Sequence, residues 1–123
     1  MMRKQYYFQE SPRGLMAWDV HRLVRLSSGL RPTRVQLSDM REFDEPWHGK
    51  EPATWRTMVE HIRLIHEADM TFPIILSARG AVMDGRHRLA KALLEGRTEI
   101  DAVQFVTDPE PDYVGRDPDD LPY

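Results

Sequence analysis

The 123 residues suit one domain with a single moderate core and are too few for two ordinary ones. A composition 41% hydrophobic and 30% charged is that of a soluble globular chain, and the absence of cysteine excludes disulfides, thiolate metal sites and cysteine chemistry while fitting a cytoplasmic setting. The net charge of −3 divides into six acidic residues against one arginine over 108–123, net −5, and +2 over the preceding body, too small a cationic surplus for sequence-independent DNA binding.

Along the chain, Arg3 and Lys4 have no apolar run behind them, and no apolar run anywhere is long enough to span a bilayer, so neither secretion nor membrane insertion is expected. Residues up to Arg13-Gly14 read as an irregular arm. Residues 18–26 read as a short helix with Val20, Leu23 and Val24 on one side, stopped by Ser27-Ser28-Gly29. Arg34-Val35-Gln36-Leu37 alternates as a half-buried strand does, and Ser38-Asp39 follows as a turn. Residues 41–52 hold two prolines, one glycine and four acidic residues around Trp47-His48, which is loop chemistry.

Thr54 is placed to cap a helix in which Trp55, Met58, Val59, Ile62 and Ile65 recur at helical spacing, a pattern that predicts a core stripe. Two short apolar strands follow, Phe72-Pro73-Ile74-Ile75-Leu76 and Ala81-Val82-Met83, separated by a turn at Ala78-Arg79-Gly80. A helix over 86–95, with Leu89, Ala90 and Leu93 inward, ends at Gly96, and residues 100–105 alternate as a last strand. The fold class expected is α+β, a small mixed sheet flanked by helices, over 1–107. Residues 108–123 read as an acidic, proline-rich tail that builds no core, with Tyr113, Leu121 and Tyr123 as local pins.

The stretch Val82-Met83-Asp84-Gly85-Arg86-His87-Arg88-Leu89-Ala90 leaves a strand, turns on Asp-Gly and opens a helix with cationic side chains. Unpaired N–H groups and the positive end of the helix dipole then face outward, which is an anion site in form. The order strand, turn, strand, Gly85-Arg86-His87-Arg88, helix, Gly96, closing strand resembles the ParB/sulfiredoxin-like family over residues 35–105. The resemblance implies that the glycine turn and the following helix bind nucleotide phosphates. Sulfiredoxins read Gly-Cys-His-Arg at this turn, so Arg86 replaces the catalytic cysteine and that chemistry is lost. Partitioning proteins read Gly-Glu-Arg-Arg; Gly85 and Arg88 match, whereas the glutamate and first arginine do not. No helix-turn-helix segment is expected after the module.

The ligand-binding candidates are accordingly Gly85, Arg86, His87 and Arg88. Arg88 has a planar fork suited to phosphate, its alternative being a pair with Asp84 or Glu95. Asp84 reads as the N-cap, with a metal role as the alternative. His87 is either a phosphate donor and proton carrier or a satisfied, partly buried histidine. Accessory candidates are Glu45, Trp47 and His48 in the acidic loop, for a carboxylate base, magnesium ligation and a nucleobase platform, and Arg56 as a second anion contact. His61 and His66, five apart, do not share a helix face, and no protein metal site is expected. The expected partner is a phosphorylated small molecule or nucleotide such as CTP, ATP or ADP, with magnesium as its cofactor. No catalytic residue stands out, and turnover stays open. The other readings are a DNA-associated regulatory or partner-binding module, and a domain whose acidic tail covers the basic turn.

Overall fold

The computed structural model describes residues 5–47 and 54–123 and has an α+β fold. At its centre is a four-stranded mixed sheet of β3 (Thr33–Gln36), β4 (Ile74–Leu76), β5 (Val82–Asp84) and β6 (Glu99–Gln104), in the spatial order β3-β6-β4-β5. β4 runs parallel to β6, and the β3–β6 and β4–β5 pairs are antiparallel. The continuous apolar run of β4 is explained by burial on both faces, because alternate residues point to opposite sides. Ile74 and Leu76 join Val82, Leu89, Ala92, Ile100 and Ala102 beneath the helix α3 (Arg86–Leu94). Ile75 joins Met83, Val103, Phe105, Trp18 and Leu23 on the opposite face, which the helix α1 (Val20–Ser27) covers.

The expected irregular N-terminal arm is instead a strand, β1 (Tyr6–Gln9), paired antiparallel with β2 (Met16–Asp19). Trp18, read as the start of a helix, lies in β2. The helix begins one residue after Asp19, whose side chain accepts the His21 N–H at 2.9 Å as N-cap. Within α1, Val20, Leu23 and Ser27 are buried and Val24 is exposed, so the inward face is rotated from the expected one.

Residues 108–123 are not a loose appendage. They contribute β7 (Tyr113–Val114), which pairs with β2 to complete a three-stranded sheet β1-β2-β7. Leu121 is buried, the Trp18 indole N–H donates to the Pro109 carbonyl at 2.8 Å, and the Tyr6 hydroxyl donates to the Pro122 carbonyl. The acidic groups are used at defined points: Asp112 accepts from the Asp19 N–H at 2.8 Å and from Arg22 at 3.2 Å, and Asp108 accepts from the Ala78 N–H at 2.8 Å.

The helix α2 (Trp55–Glu67) starts at Thr54, as its sequence predicts, through a capping box in which Thr54 and Thr57 exchange side-chain to backbone bonds. None of its residues is buried, however. Trp55, Met58, Val59 and Ile62, expected in the core, face outward, and the helix leans on α3 through its Thr57, His61 and Ile65 side. The Lys91 ammonium joins the two helices by donating to the carbonyls of His66 at 2.8 Å and Ala68 at 3.0 Å, where a cation also suits the helix dipole. In α3, Ala92 is inward and Leu93 is exposed, the reverse of the expectation for Leu93. Gly96, at φ 72°, closes α3 with a pair of bonds, Gly96 N–H to Leu93 at 3.1 Å and Arg97 N–H to Ala92 at 3.0 Å. No helix among the described residues is long and apolar enough to cross a membrane.

Candidate functional site

The junction between β5 and α3 is built around Gly85. Its φ of 104° and ψ of 24° are left-handed, and a Cβ there would lie 2.6 Å from the Ile74 Cγ2 atom and 2.9 Å from the Arg88 Nη2 atom. Only glycine fits both the conformation and the space. Gly85 itself is the N-cap, and no side chain caps α3. The expectation that Asp84 caps the helix is therefore corrected: β5 ends at Asp84 and its carboxylate turns to Arg88, one helical turn on. Among the described residues, no capping carboxylate compensates the dipole at the start of α3.

Arg88 is turned inward. Its Nη2 donates to the Pro73 carbonyl and to Asp84 Oδ2, each at 3.3 Å, while its Nε is buried and makes no hydrogen bond among the described residues. Of its two expected roles, the structure displays the acidic pairing, because the short β5–α3 turn brings Asp84 and Arg88 together. The outward cation at this turn is Arg86, which is exposed. Its guanidinium lies 4.6 Å from the Trp47 ring centroid, a contact of about 0.5–1 kcal/mol at an exposed site.

Trp47 thus comes to the α3 start from the acidic loop. Its ring also meets His87 edge-on at 5.5 Å and His61 at 5.4 Å. His61 Nδ1 and His87 Nε2 are 3.0 Å apart, and their rings are nearly parallel. One ring must donate and the other accept, so the pair holds together only while at least one is neutral. Burial holds the His87 imidazole below its ordinary pKa, and His61, Arg86 and Arg88 act in the same direction, partly offset by Asp84. The lowered pKa favours the neutral form of His87 near pH 7.

The remaining candidates are dispersed. Glu45 is exposed at the end of a short 3-10 turn over Arg41–Asp44. Within that turn Glu42 is tied to the sheet edge, accepting the Val82 N–H at 2.8 Å. Arg56 lies on α2 in a shallow depression with Trp55, Val59 and Glu60. His48 lies outside the described residues. His61, set aside in the sequence because it pairs with no local partner, is the residue that helical spacing missed: its partner is 26 positions away, and only the packing of α2 on α3 unites them. No group of three or more His, Asp or Glu side chains able to hold a metal is present among the described residues. Two carboxylates of the acidic tail, Asp108 and Asp112, are engaged with Ala78, Asp19 and Arg22, away from the basic turn that a tail folded over the site would cover.

Comparison of the chain with protein-family models, with curated proteins and with solved structures finds no match in any of the three.

Proposed function

We propose that the protein binds a phosphorylated small molecule, a nucleotide, at the start of α3, as a relative of ParB/sulfiredoxin-like domains. The reading is carried by one observation: α3 opens from a left-handed glycine with no capping side chain, and beside that opening an exposed guanidinium rests on an indole. Helix-start N–H groups and Arg86 supply charge-assisted bonds of about 1.5–3 kcal/mol each to a phosphate oxygen, and Trp47 supplies an apolar face of the kind a nucleobase stacks on. Arg88 and Asp84 position the turn by joining the end of β5 to the first turn of α3 and to Pro73. With Asp84 committed to Arg88, magnesium would travel on the nucleotide's own phosphates and keep most of its waters.

Titration calorimetry with CTP, ATP, ADP and pyrophosphate in magnesium buffer tests the reading. At least one should bind more tightly than ~1 mM, and Arg86→Ala should weaken that ligand about tenfold. Trp47→Leu should weaken the nucleotide and leave pyrophosphate unaffected. Failure of all four to bind below the millimolar range overturns the proposal.

A further inference from the structure

Helix α2 presents a second surface, on the side away from the sheet. Trp55, 90% exposed, Val59 and Ile62 recur along one stripe at spacings of four and three, with Met58 beside them. The stripe runs into an open apolar groove between α2 and α3, lined by Ile62, Ile65, His66, Ala90, Leu93 and Leu94. Six of these side chains, Trp55, Met58, Val59, Ile62, Leu93 and Leu94, are each at least 46% exposed. Together they offer on the order of 600 Å² of apolar-rich surface, at the upper limit for a monomer and near the roughly 800 Å² per partner of a stable interface.

The charges beside the stripe identify the occupant. On the flank away from α3, helical spacing aligns Arg56, Glu60, Arg63 and Glu67, a row that alternates in sign. Laid antiparallel against a copy of itself, with the two-fold axis between His61 and Ile62, the row sets Arg56 against Glu67 and Glu60 against Arg63, so that every contact is between opposite charges. The same operation brings the Trp55 of each copy to the Ala68 end of the other, beside its groove. In an antiparallel helix pair each flank faces its own equivalent, which is the self-complementarity that a two-fold interface demands.

We propose that the exposed face of α2 and α3 is a homodimer interface in which two α2 helices pack antiparallel. The second copy covers the apolar stripe, and it braces the helix that holds His61 against His87 on the opposite side. A single helix with no buried residue is otherwise a weak support for that contact.

Sedimentation velocity or light scattering of the full chain across about 1–200 μM reads the assembly. The wild-type chain should have twice the monomer mass in that range, and Ile62→Glu should raise the dissociation constant at least a hundredfold while the circular dichroism spectrum stays unchanged. The deciding experiment uses two further variants, Arg56→Glu and Glu67→Arg. Each alone sets like charges together at both ends of the interface and should weaken self-association about tenfold, whereas their equimolar mixture restores two opposite pairs and should associate like the wild type. Residues 56 and 67 lie about 16 Å apart on one helix, too far to rescue each other within a chain. A monomer at 200 μM overturns the proposal and assigns the face to a different partner. A dimer insensitive to Ile62→Glu, or a mixture no tighter than its components, overturns it equally.

Discussion

Gly85 shows how much one residue can decide when backbone conformation and space agree. An L-residue in the left-handed region costs about 1–2 kcal/mol, and a Cβ driven into Ile74 and Arg88 adds an overpacking cost of about 1–3 kcal/mol. Gly85→Ala should therefore destabilise the fold by about 2–5 kcal/mol in chemical denaturation, and a loss under ~1 kcal/mol would show that the turn relaxes. His87 makes a second residue-scale prediction. Folding lowers its pKa, so between the folded value and the ordinary 6.5 the unfolded chain binds more protons than the folded one. Its contribution to stability is then complete above about pH 7 and is lost as pH falls from 6.5 through the folded value, because burial opposes a proton on His87, as do His61, Arg86 and Arg88, with Asp84 acting the other way. The denaturation midpoint should fall between pH 7.5 and 5.5, and His87→Gln should reduce that fall; an equal fall in the variant would place the titration elsewhere.

At the scale of elements, α2 and α3 are both short helices with apolar positions at regular spacing, yet their roles differ. α3 buries Leu89 and Ala92 against the sheet, and α2 has no fully buried residue. Local stability follows buried contacts, so hydrogen exchange should be faster throughout α2 than in α3 or β4 at concentrations low enough to keep the chain monomeric. Thr54→Ala removes the capping box and should cost about 0.5–2 kcal/mol, seen as further loss of protection within α2 and little change in global unfolding. Equal loss in α3 would mean that the two helices open together.

On the scale of the whole molecule, the segment 108–123 belongs to the domain. It completes the three-stranded sheet, buries Leu121 and supplies acceptors to Trp18, Asp19, Arg22 and Ala78. Chain ending after residue 107 should lose the greater part of its cooperative thermal transition, since several bonds of about 0.5–1.5 kcal/mol and the burial of Leu121 are large against a total stability of ~5–15 kcal/mol. A truncated chain that melts like the full one would return these residues to the status of a tail.

Much of the central sheet and the helix beside it is written in local signals: the apolar run 72–76, of which Ile74–Leu76 forms the strand, the turn at 78–80, the Asp-Gly junction and the alternation of 100–105. Thr54 and Gly96 were legible as helix boundaries because caps and left-handed glycines act over a few residues. The rest depends on partners distant in the chain. β1 and β7 are edge strands whose partner is β2, and nothing in their own spacing names it. Periodicity marks the apolar face of α2 but not what covers it, so the Trp55 stripe, legible as core, lies at the surface. At the site, the glycine turn was local, whereas the pairing of His61 with His87, the seat of Arg86 on Trp47 and the inward turn of Arg88 arise where α2, the acidic loop and β4 converge on one helix start.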